Sequence, residues 1–598
     1  MGLYKKLPDD VHEVDVVIAG GKRHNCLRCC LTASGCIPRH VHPGHRRGSE
    51  QRQHCNHYAP SLLSSASCTW QHDEPLLQVE DVSLRLRLLG CPWMVGGGYV
   101  ALFEEGRFSP LLALLSSIET FAETPLAQIE TYHGKDEKGV HGHEGPIHVS
   151  RGSYNSKRLE DEFITSAAKA GWPEVQDVQD LETVNAVGRS YRYISLDGRR
   201  QDAATCYLHP LLNGGKHPNL HVLVESQVTR ILFENKRAVA VEFRSNPTFG
   251  GDASETRTVK ARKLVVASCG TCGTPLLLER SGVGDPRVLE AAGVPLVAPA
   301  PGVGNGYEDH HLLVYPYHNS LDATDTLDAL VYGRMGSPEE LIKEGHPMLG
   351  WNGQEVQGKV RPTDAEAAAL GPAFKEAWDR EFKDHPEKPI AIFTVLGGFP
   401  GDPSLAPGGP GLAISVFTAY PFSRGHIHIT GPQIEDPIDF ETGFFDDDGG
   451  LDVKKHVWAY KKQREIMRRM PSYRGEMAVL HPPFAASSQA ASIHLENGPL
   501  PTEVPDIEYT PEDDVVIEKW LRENVSTTWH SLGTCKMGPR DQNGVVDANL
   551  GVYGVEGLKI ADISIVPRNV AANTNNTALA IGEKAADIFI QELSMGLN

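Results

Sequence analysis

The sequence predicts a mixed α/β (α+β) protein in which a domain built on parallel strands is interrupted by a second domain built on an antiparallel sheet. Three observations carry this. Residues 14–21, VDVVIAGG, are a short continuous apolar run ending in a glycine turn, as a buried parallel strand entering a βαβ unit requires. Residues 263–268, KLVVAS, repeat the pattern and run into a second glycine-rich turn. Residues 412–420 (LAISVFTAY) and 425–430 (GHIHIT) alternate instead, which suggests antiparallel strands with one solvated face.

The opening strand fixes the character of the first domain. Gly20 fits the first position of the G-x-G-x-x-G turn, and Gly21 follows it; such Rossmann-like turns bring a helix N-terminus to a dinucleotide pyrophosphate. The second glycine position falls on Lys22 and the third on Asn25, and no second strand ending in an acidic residue follows. The N-terminal part of the dinucleotide fold therefore reads as degraded.

From Lys22 to Asp73 the chain is rich in histidine, serine and breakers. Seven of the eleven cysteines fall at or before Cys91. Cys26, Cys29, Cys36 and His40 are ligand types that zinc accepts, but Cys30 breaks the spacing and no regular second pair follows. Poorly ordered sequence is the plainer account, and no metal is assigned. The glycines at 96–98 read as a flexible turn without a helix behind it.

Patterned sequence returns near residue 110. Residues 126–134 and 145–150 have a turn-and-strand texture. Residues 158–171 predict an amphipathic helix closed by glycine, with Leu159, Phe163, Ala167 and Ala168 inside. Residues 219–233 and 238–244 alternate as neighbouring strands. The turn after Ser268 carries Cys269 and Cys272, a redox pair or simply small residues packed at a strand-to-helix turn, and Pro275 fits a first helical turn. Residues 296–400 read as loop-heavy, with a helix at 365–378 and a strand at 389–396. Helices are expected at 455–470 and 514–523, the latter capped by Asp513 or Asp514.

The last hundred residues hold the candidate chemistry. His530 lies between Trp529 and Ser531 in STTWHSLGTCKMG (526–538), and Asp562 ends an apolar strand. Asn573 and Thr574 stand at the entrance of a final helix whose apolar face is Ala578, Ile581, Ala585 and Ile588. Taken bare, His530 is one of 26 histidines and reads as a core residue. Asn573 is equally a helix cap, a role Asn575 or Asn576 could share, and Asp562 reads as a solvated strand end.

Composition narrows the field. The 598-residue chain, 40% hydrophobic and 22% charged, is long enough for two or more domains. A formal charge of -20 argues against a nucleic-acid partner. No run of eighteen apolar residues predicts a membrane span. The N-terminus lacks a signal-peptide core, and Gly-Leu-Asn at the end is not the peroxisomal tripeptide. An intracellular location, cytoplasmic or peroxisomal, is expected.

Residues 270–284 (GTCGTPLLLERSGVG) and the run from His530 through the GTCKMG stretch, Asp562 and the final helix resemble the glucose-methanol-choline (GMC) flavin oxidoreductases. Within that family LPDD (7–10), ETYHG (130–134), YPFSRGHIHITG (420–431) and TALAIGEKAAD (577–587) resemble the fungal alcohol (methanol) oxidases. The resemblance covers residues 1–21 and roughly 127–595, and the departure begins inside the glycine motif. A frame shift or retained non-coding stretch is the simplest account of that abrupt change.

The resemblance implies an FAD-binding domain from 1–155 (atypical or disordered at 22–126), 216–295 and 525–598. It gives a substrate domain from 156–215 and 296–524. It implies FAD as cofactor and oxidation of a short primary alcohol by O2, yielding aldehyde and H2O2. His530 would be the base and Asn573 its hydrogen-bonding partner. Gly20, Gly21, Val228, Asp562 and Thr574 would bind FAD, Val228 by backbone contact to adenine and Asp562 at the ribityl or pyrophosphate. A homo-oligomer would fit the family. The alternatives are an inactive relative lacking the pyrophosphate loop, or a family enzyme for aryl alcohols or sugars.

Overall fold

The computed structural model describes residues 2–8, 11–20, 114–122, 139–214, 217–401, 405, 408–501 and 503–595. Gly21, the group Cys26, Cys29, Cys36 and His40, the glycines at 96–98 and the stretch 126–134 lie outside the described residues. Among the described residues no helix is long and apolar enough to cross a membrane.

Two sheets organise the chain. The first is built on the 13-residue strand Thr256–Ser268. Along one edge it runs parallel to Glu13–Gly20, pairing Val17 with Val265. Its other edge is shared. The first half pairs antiparallel with Arg237–Ser245, and the second half pairs parallel with Leu558–Ile560. The sequence encodes this change of partner. Residues 256–260 alternate between exposed and half-buried, as a one-sided antiparallel strand does, whereas 264–268 are buried without a break. Ser226–Glu234 completes the sheet beyond Arg237–Ser245.

The second sheet is antiparallel, in the order Tyr473–Glu476, His311–Asn319, Leu412–Thr418, Ala391–Leu396, Gln354–Val360, Ala186–Arg189. One face packs on the helices Lys157–Lys169 and Leu451–Arg468 through Phe163, Phe393, Tyr315, Ala459 and Tyr460. The other face carries Leu312, Phe417 and Ile392 against Val570 and Ala572. That face meets the segment leading into the final helix, Asn575–Met595.

Several local expectations change. Residues 425–429 do not join 412–418; they form a separate three-stranded sheet with Asn305–Tyr307 and Ile438–Glu441. Leu412–Thr418 sits between two strands and is buried along nearly its whole length, so it has no solvated face. The region 296–400 contains three strands of the second sheet, His311–Asn319, Gln354–Val360 and Ala391–Leu396. Pro316 disguises one of them, because proline reads as a strand breaker. It is accommodated opposite Ala413, and its carbonyl accepts from His481 Nε2 at 2.9 Å.

In Lys157–Lys169, Leu159, Phe163 and Ala167 are buried, but Ala168 is exposed and Ile164 fills the stripe. The cap of Pro511–Asn524 is Thr510, not an aspartate: its hydroxyl accepts from Asp513 N–H while the Asp513 carboxylate accepts from Thr510 N–H. The helix expected at 365–378 is two helices, parted at Gly371 and Pro372.

The second sheet is anchored by a buried ion pair. Asp452 Oδ1 and Lys455 Nζ lie 2.9 Å apart with both side chains fully buried. Asp452 Oδ2 accepts from the N–H groups of Phe422 and Ser423, each at 2.8 Å, and Lys455 donates to the Tyr420 carbonyl at 2.8 Å. Burial opposes the charge on Asp452, yet Lys455 and His311 hold its carboxyl well below the usual carboxylate range. Breaking such a pair leaves an uncompensated buried charge. Asp452→Ala is therefore expected to lower unfolding free energy by about 3–5 kcal/mol in urea denaturation, and Lys455→Met in the same chain to recover part of the loss.

His141 gives a pH signature. It stacks on Phe121 and bridges Glu119 at 2.9 Å and Asp177 at 3.2 Å. Burial disfavours its charge, but Asp177 and Glu119 outweigh burial and raise its pKa from 6.5 to about 10. The stabilisation is therefore complete below about pH 6.5 and is lost as pH rises through about 10. The thermal midpoint should fall from about pH 7 to about pH 10, and His141→Gln should flatten that slope.

Candidate active site

The loop that carries His530 is folded around one carboxylate. Ser526–Thr527 pairs antiparallel with His311–Asn319, placing Thr527 opposite His311. Asp309, just ahead of that strand, is buried and accepts from four groups of the loop. They are the Thr527 hydroxyl, the Thr528 hydroxyl at 2.9 Å, the His530 N–H at 3.1 Å and the Ser531 hydroxyl at 3.1 Å. Burial raises the Asp309 pKa while these donors oppose the rise. Between the anchored residues Trp529 takes a left-handed backbone, φ 59°, and stays half exposed. Such a conformation costs a bulky residue roughly 1–3 kcal/mol.

His530 faces a second histidine. Its Nδ1 lies 3.0 Å from His310 Nδ1, and His310 Nε2 lies 2.7 Å from the Val570 carbonyl. Phe417 stacks on the His310 ring and meets His530 edge-on. Burial pushes His530 down to about 3 and His310 well below the ordinary value. Both rings are thus neutral near neutral pH, as a general base must be. His530 Nε2 is buried and has no hydrogen-bond partner.

Asn573 lies three residues beyond Val570 and is buried, its Oδ1 also without a partner. The same holds for Asn569 Nδ2, Asn575 Oδ1 and Asn576 Nδ2. Five unpaired buried polar atoms, counting His530 Nε2, thus fall on His530 and on the segment that enters one helix. Buried polar groups are ordinarily paired, so this set marks a surface that a polar ligand would complete. Thr574 is buried, and its carbonyl accepts the Ala578 N–H at 3.0 Å in the first helical turn.

At the other end of the site, Gly20 closes its strand with φ 96°, and a Cβ there would lie 2.4 Å from the Ser268 carbonyl oxygen. Only glycine fits. Asp562, far from solvated, is fully enclosed: Oδ2 accepts from Gly270 N–H at 3.0 Å and Thr274 hydroxyl at 2.6 Å, and Oδ1 from Ser564 N–H at 2.8 Å. Its carboxylate thus organises the turn into helix Gly270–Arg280. Val228 is half-buried on Ser226–Glu234 opposite Phe243, packed against the core of the first sheet.

Cys269 and Cys272 pack into different hydrophobic clusters, and the Cys269 thiol donates to the Ala19 carbonyl at 3.3 Å. Pro275 lies inside the helix, not in its first turn. The Thr271 carbonyl that its missing N–H would have served accepts from the Thr534 hydroxyl at 2.6 Å. That bond ties the helix to the His530 segment. Sequence reasoning missed His310, Asp309 and Phe417; the run EDHH at 308–311, an acid pair followed by two imidazoles, was the available signal.

A mixed sheet whose parallel strand Glu13–Gly20 ends in an obligatory glycine, together with a buried neutral imidazole walled by an antiparallel sheet, suits a cofactor-dependent redox enzyme. The chain belongs to the GMC oxidoreductase family, whose N-terminal model matches residues 116–312 and whose C-terminal model matches residues 421–582. It is 36% identical to an alcohol oxidase of Candida boidinii over 519 residues, 78% of this chain and 77% of that one. It is also 36% identical to alcohol oxidase 1 of Komagataella phaffii over 539 residues, 82% of this chain and 79% of that one. A formate oxidase of Aspergillus oryzae superposes with a TM-score of 0.73 at 18% identity, covering 98% of this chain and all of that one. A fungal aryl-alcohol oxidase superposes with a TM-score of 0.70 at 20% identity, with the same coverage.

The chain is thus an FAD-dependent oxidoreductase of the GMC and alcohol-oxidase type. The unpaired polar atoms of Asn569, Asn573, Asn575 and Asn576 and the close approach at Gly20 fit a group with many donors and acceptors. Gly20→Ala adds both strain and a clash with the Ser268–Cys269 peptide. The purified variant should carry less flavin per chain and melt at a lower temperature, measured by absorbance and thermal denaturation.

Proposed function

We propose that the chain oxidises a short primary alcohol to its aldehyde, with O2 reduced to H2O2. The carrying observation is the buried Nε2 of His530, which has no hydrogen-bond partner on a ring that burial keeps neutral. Bound FAD supplies the hydride acceptor and passes the electrons to O2. His530 Nε2 takes the hydroxyl proton as the adjacent C–H hydride leaves, and the Asn573 amide holds the alkoxide-like oxygen. Asp309 keeps the His530 backbone fixed, and Phe417 walls the rings from bulk water. Gly20, Gly21, Val228, Asp562 and Thr574 belong to the cofactor's binding surface in this reading, Asp562 by shaping the turn at Gly270. The 36% identity to proteins named alcohol oxidase supports the short-alcohol substrate.

Lys22 and Asn25, at positions where the dinucleotide turn needs glycine, favour a second reading: a relative too weakly bound to FAD to turn over. Absence of a flavin band near about 450 nm in the purified protein would establish it.

Peroxide release measured with methanol, benzyl alcohol and glucose should favour methanol; preference for either of the others sinks the short-alcohol assignment. His530→Ala should lower kcat by about 10²–10⁴-fold with flavin retained. Asn573→Ala should lower it by about 10²–10³-fold.

A further inference from the structure

We propose that His310 is a positioning residue for this reaction: by accepting the Nδ1–H of His530 it keeps the basic lone pair on Nε2, and through Val570 it ties that tautomer to the segment bearing Asn573. The inference rests on the proposed role of His530 and deepens it. An imidazole free in water carries its proton on either nitrogen, and only one of the two neutral forms leaves Nε2 able to take a hydroxyl proton.

The geometry selects that form without an experiment on hydrogens. The Val570 carbonyl can only accept, so His310 Nε2, 2.7 Å away, carries a proton. Neutral His310 therefore presents a bare lone pair at Nδ1. The 3.0 Å contact between the two Nδ1 atoms needs one proton, which must sit on His530. His530 Nε2 is then the remaining lone pair, and it is the buried nitrogen without a protein partner. The rings stand nearly perpendicular, 83° apart, with Phe417 against both. This arrangement leaves His530 little freedom to flip.

His310 Nδ1 also lies where it can share the charge that forms when the hydroxyl proton reaches Nε2. The proton taken up at Nε2 makes His530 an imidazolium, whose Nδ1–H goes on donating to His310 Nδ1. The Val570 carbonyl meanwhile belongs to a segment packed on Phe417 and Ile392 through Val570 and Ala572. One chain of contacts therefore sets the direction of the base and the approach of the segment to Asn573.

The test uses protein labelled with 15N-histidine, with His530→Gln serving to assign the His530 resonances. In the parent protein His530 should carry its proton on Nδ1, with Nε2 bare. His310→Phe keeps the ring volume but removes both nitrogens, and the His530 signals should move toward a mixture of tautomers. His310→Asn keeps an acceptor near Nδ1 and should restore most of the Nδ1–H form.

Activity should follow the spectra. His310→Phe is expected to lower kcat by about 10- to 100-fold with a smaller change in KM, and His310→Asn to recover part of that loss. A proton on Nε2 of His530 in the parent, or an unchanged His530 spectrum in His310→Phe, overturns the proposal. So does equal impairment of the two variants. The spectra need no turnover: the expected tautomer in a chain that oxidises no alcohol leaves this assignment standing and removes the proposed function alone.

Discussion

The Asp309 carboxylate is the constraint on which the site depends. It is buried, and among the described residues no cation pairs with it; its charge is met by hydroxyl and N–H donors from a five-residue loop. Removing a carboxylate from water is costly unless its lone pairs are filled. The loop that fills them is thereby forced into one shape, including the left-handed Trp529 that an isolated loop would avoid. His530 gains its direction from that requirement. The Tyr307 hydroxyl, 3.3 Å from Asp309 and 2.8 Å from Ser531, closes the far side of the cluster.

Asp562 solves the same problem at the cofactor end. Among the described residues no cation pairs with it either, and its partners are the Gly270 N–H, the Thr274 hydroxyl and the Ser564 N–H. Between the two lies Glu308, which does use cations: Arg424 at 3.0 Å and Lys536 at 3.1 Å, with the Asn569 N–H at 2.9 Å. Three acidic side chains thus knit segments from both sheets to the C-terminal run. Positive charge is concentrated on Glu308 and kept away from the hydrogen-bonded carboxylates. That suits an imidazole which must start neutral and acquire charge only during the reaction.

Much of this was legible in the chain because some patterns have one physical meaning. The apolar run at 263–268, ending in a glycine-rich turn, announced the buried half of the central strand, though not the change of partner along it. The face through Ala578, Ile581 and Ala585 announced the final helix. What escaped was set by tertiary context. Pro316 hid a strand because proline reads as a strand breaker, and only the pairing around it, with Ala413 opposite, shows that the strand continues through it. Asp562 read as a solvated strand end because the sequence does not say that Thr274, nearly 300 residues earlier, will lie 2.6 Å away. His310 went unnoticed for the same reason: its chemistry is created by a contact with a residue 220 positions distant.

The two halves of the site differ in how they are supported. The base half is assembled from residues 307–312, 417, 526–535 and 562–573, which hold one another by the contacts described above. Among the described residues, none of those contacts involves Gly20. Cofactor affinity and base geometry are consequently separable quantities in this chain. In the proposed reading the altered residues that follow Gly21 in the sequence would weaken the hold on FAD, whereas the direction of the His530 lone pair would be set by Asp309, His310 and Val570. A deficit confined to the first quantity would appear as flavin loss with the histidine pair intact. A defect in the second would leave flavin bound beside a base facing the wrong way.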